Sequence, residues 1–183
     1  MQDSNTTTAL LIIDVQAGLC SGPYEVFESA RVIGNINLLS QRMRERGLPV
    51  VVVQHEEDEG TLELDSPGWQ LAEGLVTTPQ DVFIRKAASD AFQNTELHAQ
   101  LKARGVTNLI VCGMQSDFCV DSTVRRALAL GLPLTLVSDA HSTLDNSVLK
   151  AEQIIAHHSE TLSQLSSYGV RAQLRTTGEI LSD

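Results

Sequence analysis

The stretch Leu109-Ile-Val-Cys-Gly-Met-Gln-Ser-Asp-Phe-Cys-Val-Asp-Ser-Thr-Val-Arg-Arg-Ala-Leu128 changes its period half-way along. Leu109 to Cys112 is an apolar run of strand type, broken at Gly113. After a few polar residues the chain restarts at Cys119 with helical spacing. Val120, Val124, Ala127 and Leu128 stand at i, i+4, i+7 and i+8, which gives one apolar face. Cys119 therefore falls where a strand gives way to a helix. Unpaired N–H groups and the positive end of the helix dipole gather at such a junction, so its thiol is a candidate nucleophile. A helix N-terminus or a nearby cation is expected to lower the pKa of such a thiol, to roughly 3.5–7.5.

Working outward, Ala9-Leu-Leu-Ile-Ile13 and Pro49-Val-Val-Val-Val53 are continuous apolar runs, the pattern of strands buried on both faces of a parallel sheet. Val82-Phe-Ile84, Leu132 to Val137 and Tyr168 to Ala172 read as further short strands. Helices are expected over 29–46, closed by Gly47, over 94–104 from a cap-like Asn94 to Gly105, and over 147–165 through Val148, Ala151, Ile155 and Leu162. Between His55 and Pro79 no period holds, and a connection that long is often a binding loop. Strands alternating with helices predict an α/β fold around a mostly parallel sheet.

In such sheets the ligand crevice lies beyond the C-terminal strand ends. The residues there are Asp14, Gln54-His55, Arg85-Lys86, Gly113 through Cys119, and Asp139. A carboxylate, an ammonium and a thiol are thus expected on one edge. Lys86 can supply a cation to the Cys119 thiolate, and Asp14 can take the thiol proton and return it to a leaving amine. Backbone N–H groups of the Gly113–Cys119 turn can hold an oxyanion. Cys112, inside a strand, reads as a core residue, and Cys20, in a loop, as incidental.

The 183 residues suit one domain, expected over 9–183 after a flexible segment 1–8. Hydrophobic residues make up 42% and charged residues 20%, an ordinary globular composition. A net charge of −10 argues against nucleic acid or an anionic membrane as partner. The polar N-terminus has no secretory character, no apolar run reaches membrane length, and three scattered cysteines suit a reducing, cytoplasmic setting.

Leu10-Leu-Ile-Ile-Asp-Val-Gln16, Phe83-Ile-Arg-Lys86 and Gly113-Met-Gln-Ser-Asp-Phe-Cys-Val-Asp-Ser-Thr123 resemble the isochorismatase-like cysteine hydrolases, which include nicotinamidases and N-carbamoylsarcosine amidases. The resemblance runs from Ala9 to the last helix. It implies a six-stranded, mostly parallel sheet with helices on both faces, a Rossmann-like three-layer arrangement. It also implies an Asp14-Lys86-Cys119 triad and a cis peptide between Met114 and Gln115 that turns the N–H groups of Gln115 and Cys119 into an oxyanion hole. Family members assemble as dimers or tetramers, so a homo-oligomer is expected.

Two departures narrow the function. Nicotinamidases carry an Asp-x-His metal pair after the second strand, where this chain reads Gln54-His55-Glu56-Glu57-Asp58. A solvated acidic loop is the expectation there, with no metal and no cofactor, and His157-His158 point apart on a helix. Siderophore-pathway isochorismatases, which cleave a vinyl ether, generally lack the cysteine. Its presence favours amide-type C–N hydrolysis of a small molecule by water. Ser66-Pro-Gly-Trp69 looks like the family's pocket-loop motif, with Trp69 either stacking on a planar substrate or anchoring the loop. Phe92 and Phe118 are pocket walls or core, Gln16 orients Asp14 or the substrate, and Asp139 is expected to be structural. The alternatives are a vinyl-ether hydrolase with Asp14 as general acid and a non-enzymatic thiol sensor; neither GxGxxG nor GxxxxGK[ST] is present.

Overall fold

The computed structural model describes residues 7–183. Six parallel strands form one sheet in the order β3-β2-β1-β4-β5-β6. They are β1 (Thr7–Ile13), β2 (Val50–His55), β3 (Val82–Lys86), β4 (Val106–Met114), β5 (Leu134–Ser142) and β6 (Ala172–Arg175). The helices are α1 (Ala17–Cys20), α2 (Ser29–Glu45), α3 (Leu97–Ala103), α4 (Asp121–Ala129), α5 (Ala151–Ser163) and α6 (Thr177–Leu181). The expected α/β class holds, with helices on both faces.

The apolar strand runs explain the layering. Alternate residues of β1 enter opposite cores. Leu11 and Ile13 join Leu101, Val124, Leu128 and Leu162 on one face, while Leu10 and Ile12 join Val32, Ile36, Leu39 and Ile180 on the other. Val120, Val124, Ala127 and Leu128 are all fully buried, so the helical face read from spacing is the face that packs.

Several boundaries move. Strand β1 starts at Thr7, inside the segment expected to be flexible; the rest of that segment lies outside the described residues. Helix α3 begins at Leu97 rather than Asn94, because Asn94 adopts a left-handed φ of 55° that no α-helix continues. Helix α5 begins at Ala151: Val148 is 82% exposed, and Ile154, not Ile155, is the buried isoleucine. β6 covers Ala172–Arg175 in place of the strand expected over 168–172, and β5 runs on to Ser142, which places Asp139 within the strand. There its Oδ1 accepts from the Thr177 N–H at 2.7 Å and the Thr177 hydroxyl at 2.8 Å, tying α6 to the sheet. Asp139 is structural, as expected.

The strand order reverses between β1 and β4, the topological switch point where such sheets open a crevice. Gly113 closes the two strands there: with φ at 117°, a Cβ would overlap the Ile13 carbonyl. Among the described residues no helix is long and apolar enough to cross a membrane.

Candidate active site

Asp14 follows β1, Lys86 ends β3, and Cys119 lies in the turn after β4. Parallel register lets three elements distant in sequence deliver these groups to one edge. Asp14 turns out of β1 with a φ of 50°, a left-handed conformation uncommon outside Gly, Asn and Asp. Its N–H still donates to the Val53 carbonyl at 3.0 Å, so the turn stays attached to β2. Lys86 Nζ lies 2.7 Å from Asp14 Oδ2 and 3.2 Å from Cys119 Sγ. Both side chains of the ion pair are sealed from solvent, at 0% and 1% exposure.

A third partner completes the ammonium. His55 Nδ1 is 2.8 Å from Lys86 Nζ, so the three N–H bonds have three acceptors. That contact requires His55 to be neutral with Nδ1 unprotonated. Burial, reinforced by the Lys86 charge, lowers its pKa in the required direction. Sequence reasoning placed His55 at the crevice edge but gave it no role beyond a metal site that it weighed and set aside. The signal available was register: His55 pairs with Lys86 across the β2–β3 ladder.

The resting thiol reverses the expectation of a lowered pKa. Burial and the adjacent Asp14 carboxylate push Cys119 up to about 12, against the opposing pull of Lys86. Lys86 cannot dominate because its charge is already paired with Asp14. Burial also lifts Asp14 above the ordinary carboxylate range, with Lys86 opposing. A raised carboxyl is a stronger base, which narrows the gap to the thiol proton it faces. Asp14 Oδ1 receives no hydrogen bond among the described residues outside this cluster.

Cys119 sits in a π-helical turn, Ser116–Val120, that precedes α4 rather than in the first turn of α4 itself. The i+5 bond from the Val120 N–H to the Gln115 carbonyl, at 3.1 Å, defines that turn. The Met114–Gln115 peptide is cis, as the resemblance implies. The Gln115 N–H has no acceptor among the described residues.

A cavity of about 350 Å³ opens on Asp14, Gln115 and Cys119. Phe118, 55% exposed, lines it. The other tentative pocket residues lie elsewhere. Gln16 is fully buried, and its amide is consumed by backbone: it donates to the His55 and Trp69 carbonyls, both at 2.9 Å, and accepts from the His55 N–H at 2.8 Å. It is a clamp between β1, β2 and the long loop. Trp69 presents its carbonyl to Gln16 and Gln54, and its ring lies under the Arg85 guanidinium at 5.9 Å. It anchors the loop. Phe92 is buried in the core against His98. The loop instead brings Glu57, Thr61 and Leu62 to the cavity, with Leu19, Tyr24, Ser89 and Leu144 from other segments. These residues have no period or motif of their own, so nothing in the sequence marked them.

Potential ligand atoms of Asp14, His55 and Cys119 lie within 4.8 Å of one another, close enough to share a metal. Lys86 Nζ, however, bonds all three and brings its own positive charge to that space, so the donor set does not fit a cation while Lys86 is there. In the acidic loop, Glu56 is paired with Arg85 at 2.5 Å and Glu57 accepts the Leu62 N–H at 3.1 Å.

Residues 8–163 match the isochorismatase domain. The chain belongs to the isochorismatase family. It is 41% identical over 138 residues to a streptothricin hydrolase of Streptomyces noursei, an alignment covering 75% of this chain and 50% of that protein. The chain thus spans about half the length of the curated streptothricin hydrolases it matches. It is 31% identical to YddQ of Bacillus subtilis, an uncharacterized isochorismatase family protein, over 96% of this chain and 99% of that one. The crystal structure of an isochorismatase from Pseudomonas putida KT2440 superposes with a TM-score of 0.87 at 32% identity, covering 94% of this chain and 89% of the other. The resemblance to the isochorismatase-like cysteine hydrolases carried by the three motifs therefore stands.

Proposed function

We propose that this family member is a cysteine hydrolase that cleaves an amide-type C–N bond of a small molecule through a Cys119 thioester. The observation that carries this is the placement of one ammonium, Lys86 Nζ, between Asp14 at 2.7 Å and Cys119 at 3.2 Å. Asp14 takes the Cys119 proton as sulfur attacks the carbonyl carbon. Because the resting thiol lies near 12, thiolate forms in step with that transfer and not beforehand. The N–H groups of Gln115 and Cys119 hold the oxyanion, a contribution of a few kcal/mol per donor. Collapse breaks the C–N bond, and Asp14 returns its proton to the leaving amine. Water, deprotonated by Asp14, then cleaves the thioester to release a carboxylic acid and restore the thiol.

The 41% identity to a protein named as a hydrolase supports this class of reaction. Cys119→Ala and Cys119→Ser should abolish amide turnover while the far-ultraviolet circular dichroism stays unchanged. Iodoacetamide should label Cys119 in preference to Cys20 and Cys112, both buried. Undiminished hydrolysis by Cys119→Ala would exclude the thioester.

The raised Asp14 carboxyl favours one second reading, vinyl-ether hydrolysis with Asp14 as general acid. Turnover of isochorismate that survives Cys119→Ala would select it.

A further inference from the structure

Taken together, the charges around the cavity leave one of them uncancelled. Asp14 and Lys86 neutralise each other at 2.7 Å, and His55 accepts from Lys86 as a neutral imidazole. No Arg or Lys lines the cavity among the described residues. Arg85, on the strand that carries Lys86, is held by Glu56 at 2.5 Å and laid on the Trp69 ring. The formal charge left on the wall is that of Glu57.

Glu57 is partly buried and rigidly held. Its Oε2 accepts the Leu62 N–H at 3.1 Å, and its own N–H donates to the Leu62 carbonyl at 3.0 Å. Gly60, at φ 119°, lies under the carboxylate, where a Cβ would come within 2.9 Å of Oε2. Oε1 receives no hydrogen bond among the described residues, and Glu57 lines the cavity. The remaining lining includes the hydroxyl-bearing Tyr24, Thr61 and Ser89 and the apolar Leu19, Leu62, Phe118 and Leu144. A substrate carboxylate would find no free cation here, since the three N–H bonds of Lys86 are taken. The net charge of −10 adds to the same sign.

We infer that the cavity selects small amides bearing a cationic group, such as an amine or guanidine, and that Glu57 is the specificity-determining residue that meets it. This rests on the amide-hydrolase reading for its catalytic consequence, but the charge selectivity itself does not.

Two measurements separate the parts. The first is the rate at which Cys119 reacts with the cationic 2-(trimethylammonium)ethyl methanethiosulfonate and the anionic 2-sulfonatoethyl methanethiosulfonate. Cys119→Ala supplies the background, and 2-mercaptoethanol supplies the intrinsic cation-to-anion ratio. The protein's ratio should exceed that of the free thiol by about fivefold to tenfold, the size a single fixed charge gives at short range in a partly solvated site. It should fall in Glu57→Gln, which keeps an oxygen for the Leu62 N–H, and in high salt. The second compares kcat/KM for β-alaninamide, butyramide and succinamate, which share a propanamide chain and differ in the charge of its terminal group. The order should be cation, neutral, anion, and the cation-to-neutral ratio should drop about fivefold in Glu57→Gln.

A thiol-modification ratio equal to that of 2-mercaptoethanol, or ratios that Glu57→Gln leaves unchanged, would overturn the inference and make Glu57 a loop cap only. If the modification ratio behaves as expected but none of the three amides is turned over, the charge selectivity stands and the amide-hydrolase reading falls for these substrates. Hydrolysis of all three without charge preference has the opposite meaning.

Discussion

Ser116, three residues before Cys119, is hydrogen-bonded through Oγ to Nδ1 of His141 at 2.8 Å, and His141 Nε2 meets Ser159 Oγ at 3.0 Å. His141 thus ties the π-helical turn that carries the thiol to strand β5 and helix α5. A second tie runs beside it, from the Thr143 hydroxyl to Asp117 Oδ1 at 2.5 Å. Replacing His141 by Ala leaves both serine hydroxyls without their partner and opens a cavity. The expected cost is about 2–4 kcal/mol of stability, read as a lower urea midpoint with an unchanged m-value. The turn also loses its position, so kcat should fall more than the stability loss alone accounts for at temperatures where the variant is folded. His141→Gln, which restores one donor and one acceptor, should recover part of both.

The same residue sets an acid limit. Burial lowers His141 from its ordinary 6.5 to about 4. In the unfolded chain it binds a proton below about 6.5, and in the folded chain only below about 4. Stability from this group is therefore intact above pH 6.5 and declines as pH falls through the window between the two values. The full effect is about 3 kcal/mol. Urea titrations of wild type and His141→Gln between pH 7.5 and 4 should converge as pH falls. Parallel curves would remove His141 from the acid response.

Lys86 and Asp14 form a buried pair, and breaking one side should cost more than removing both. Lys86→Met leaves the Asp14 carboxylate uncompensated at 1% exposure, for an expected loss of about 3–5 kcal/mol. The double variant Asp14→Asn/Lys86→Met should recover much of that stability while remaining inactive. A double-mutant cycle by thermal or urea unfolding measures the coupling. A double-variant loss equal to the sum of the Asp14→Asn and Lys86→Met losses would mean that the pair is not coupled.

His55 gives Lys86 its third acceptor and keeps the ammonium centred between Asp14 and Cys119. His55→Ala should lower kcat/KM by about tenfold to a hundredfold, the scale on which hydrogen-bonded partners that orient metal ligands act. His55→Gln, which can still accept from Lys86, should lose less. A pH–rate profile adds a test independent of folding. Burial and Lys86 lower the His55 pKa, so protonating His55 in acid breaks its bond to Lys86 and lowers activity. That acid limb should disappear in His55→Gln if His55 sets it.

Much of this site is legible in the sequence. The period change at Gly113 located the strand-to-helix junction, and the apolar runs ending in Asp14 and in Arg85-Lys86 placed a base and a cation on the same edge. That worked because parallel strands of one sheet end together. Local pattern carried no information about what touches these groups. The Gln16 amide, Trp69 and Phe92 stood at suggestive positions, yet the first two join the long loop to the sheet and the third packs in the core. His55 and Glu57 stood in an acidic stretch that resembled solvent-facing loop.

The thiol marks the boundary between the two kinds of information. Its place in the chain predicted a lowered pKa, since a helix start and a lysine both favour thiolate. The folded protein places the thiol beside a carboxylate, partly withdrawn from water, and gives the lysine's charge to that carboxylate first. The buried strands, the helix face and the convergence of Asp14, Lys86 and Cys119 on one sheet edge follow from the periodicity of side chains along the backbone, which the sequence by itself determines. Which charges cancel, which stay free and where the resting proton sits depend on distances of a few ångströms between segments far apart in the chain, and only the tertiary structure decided those.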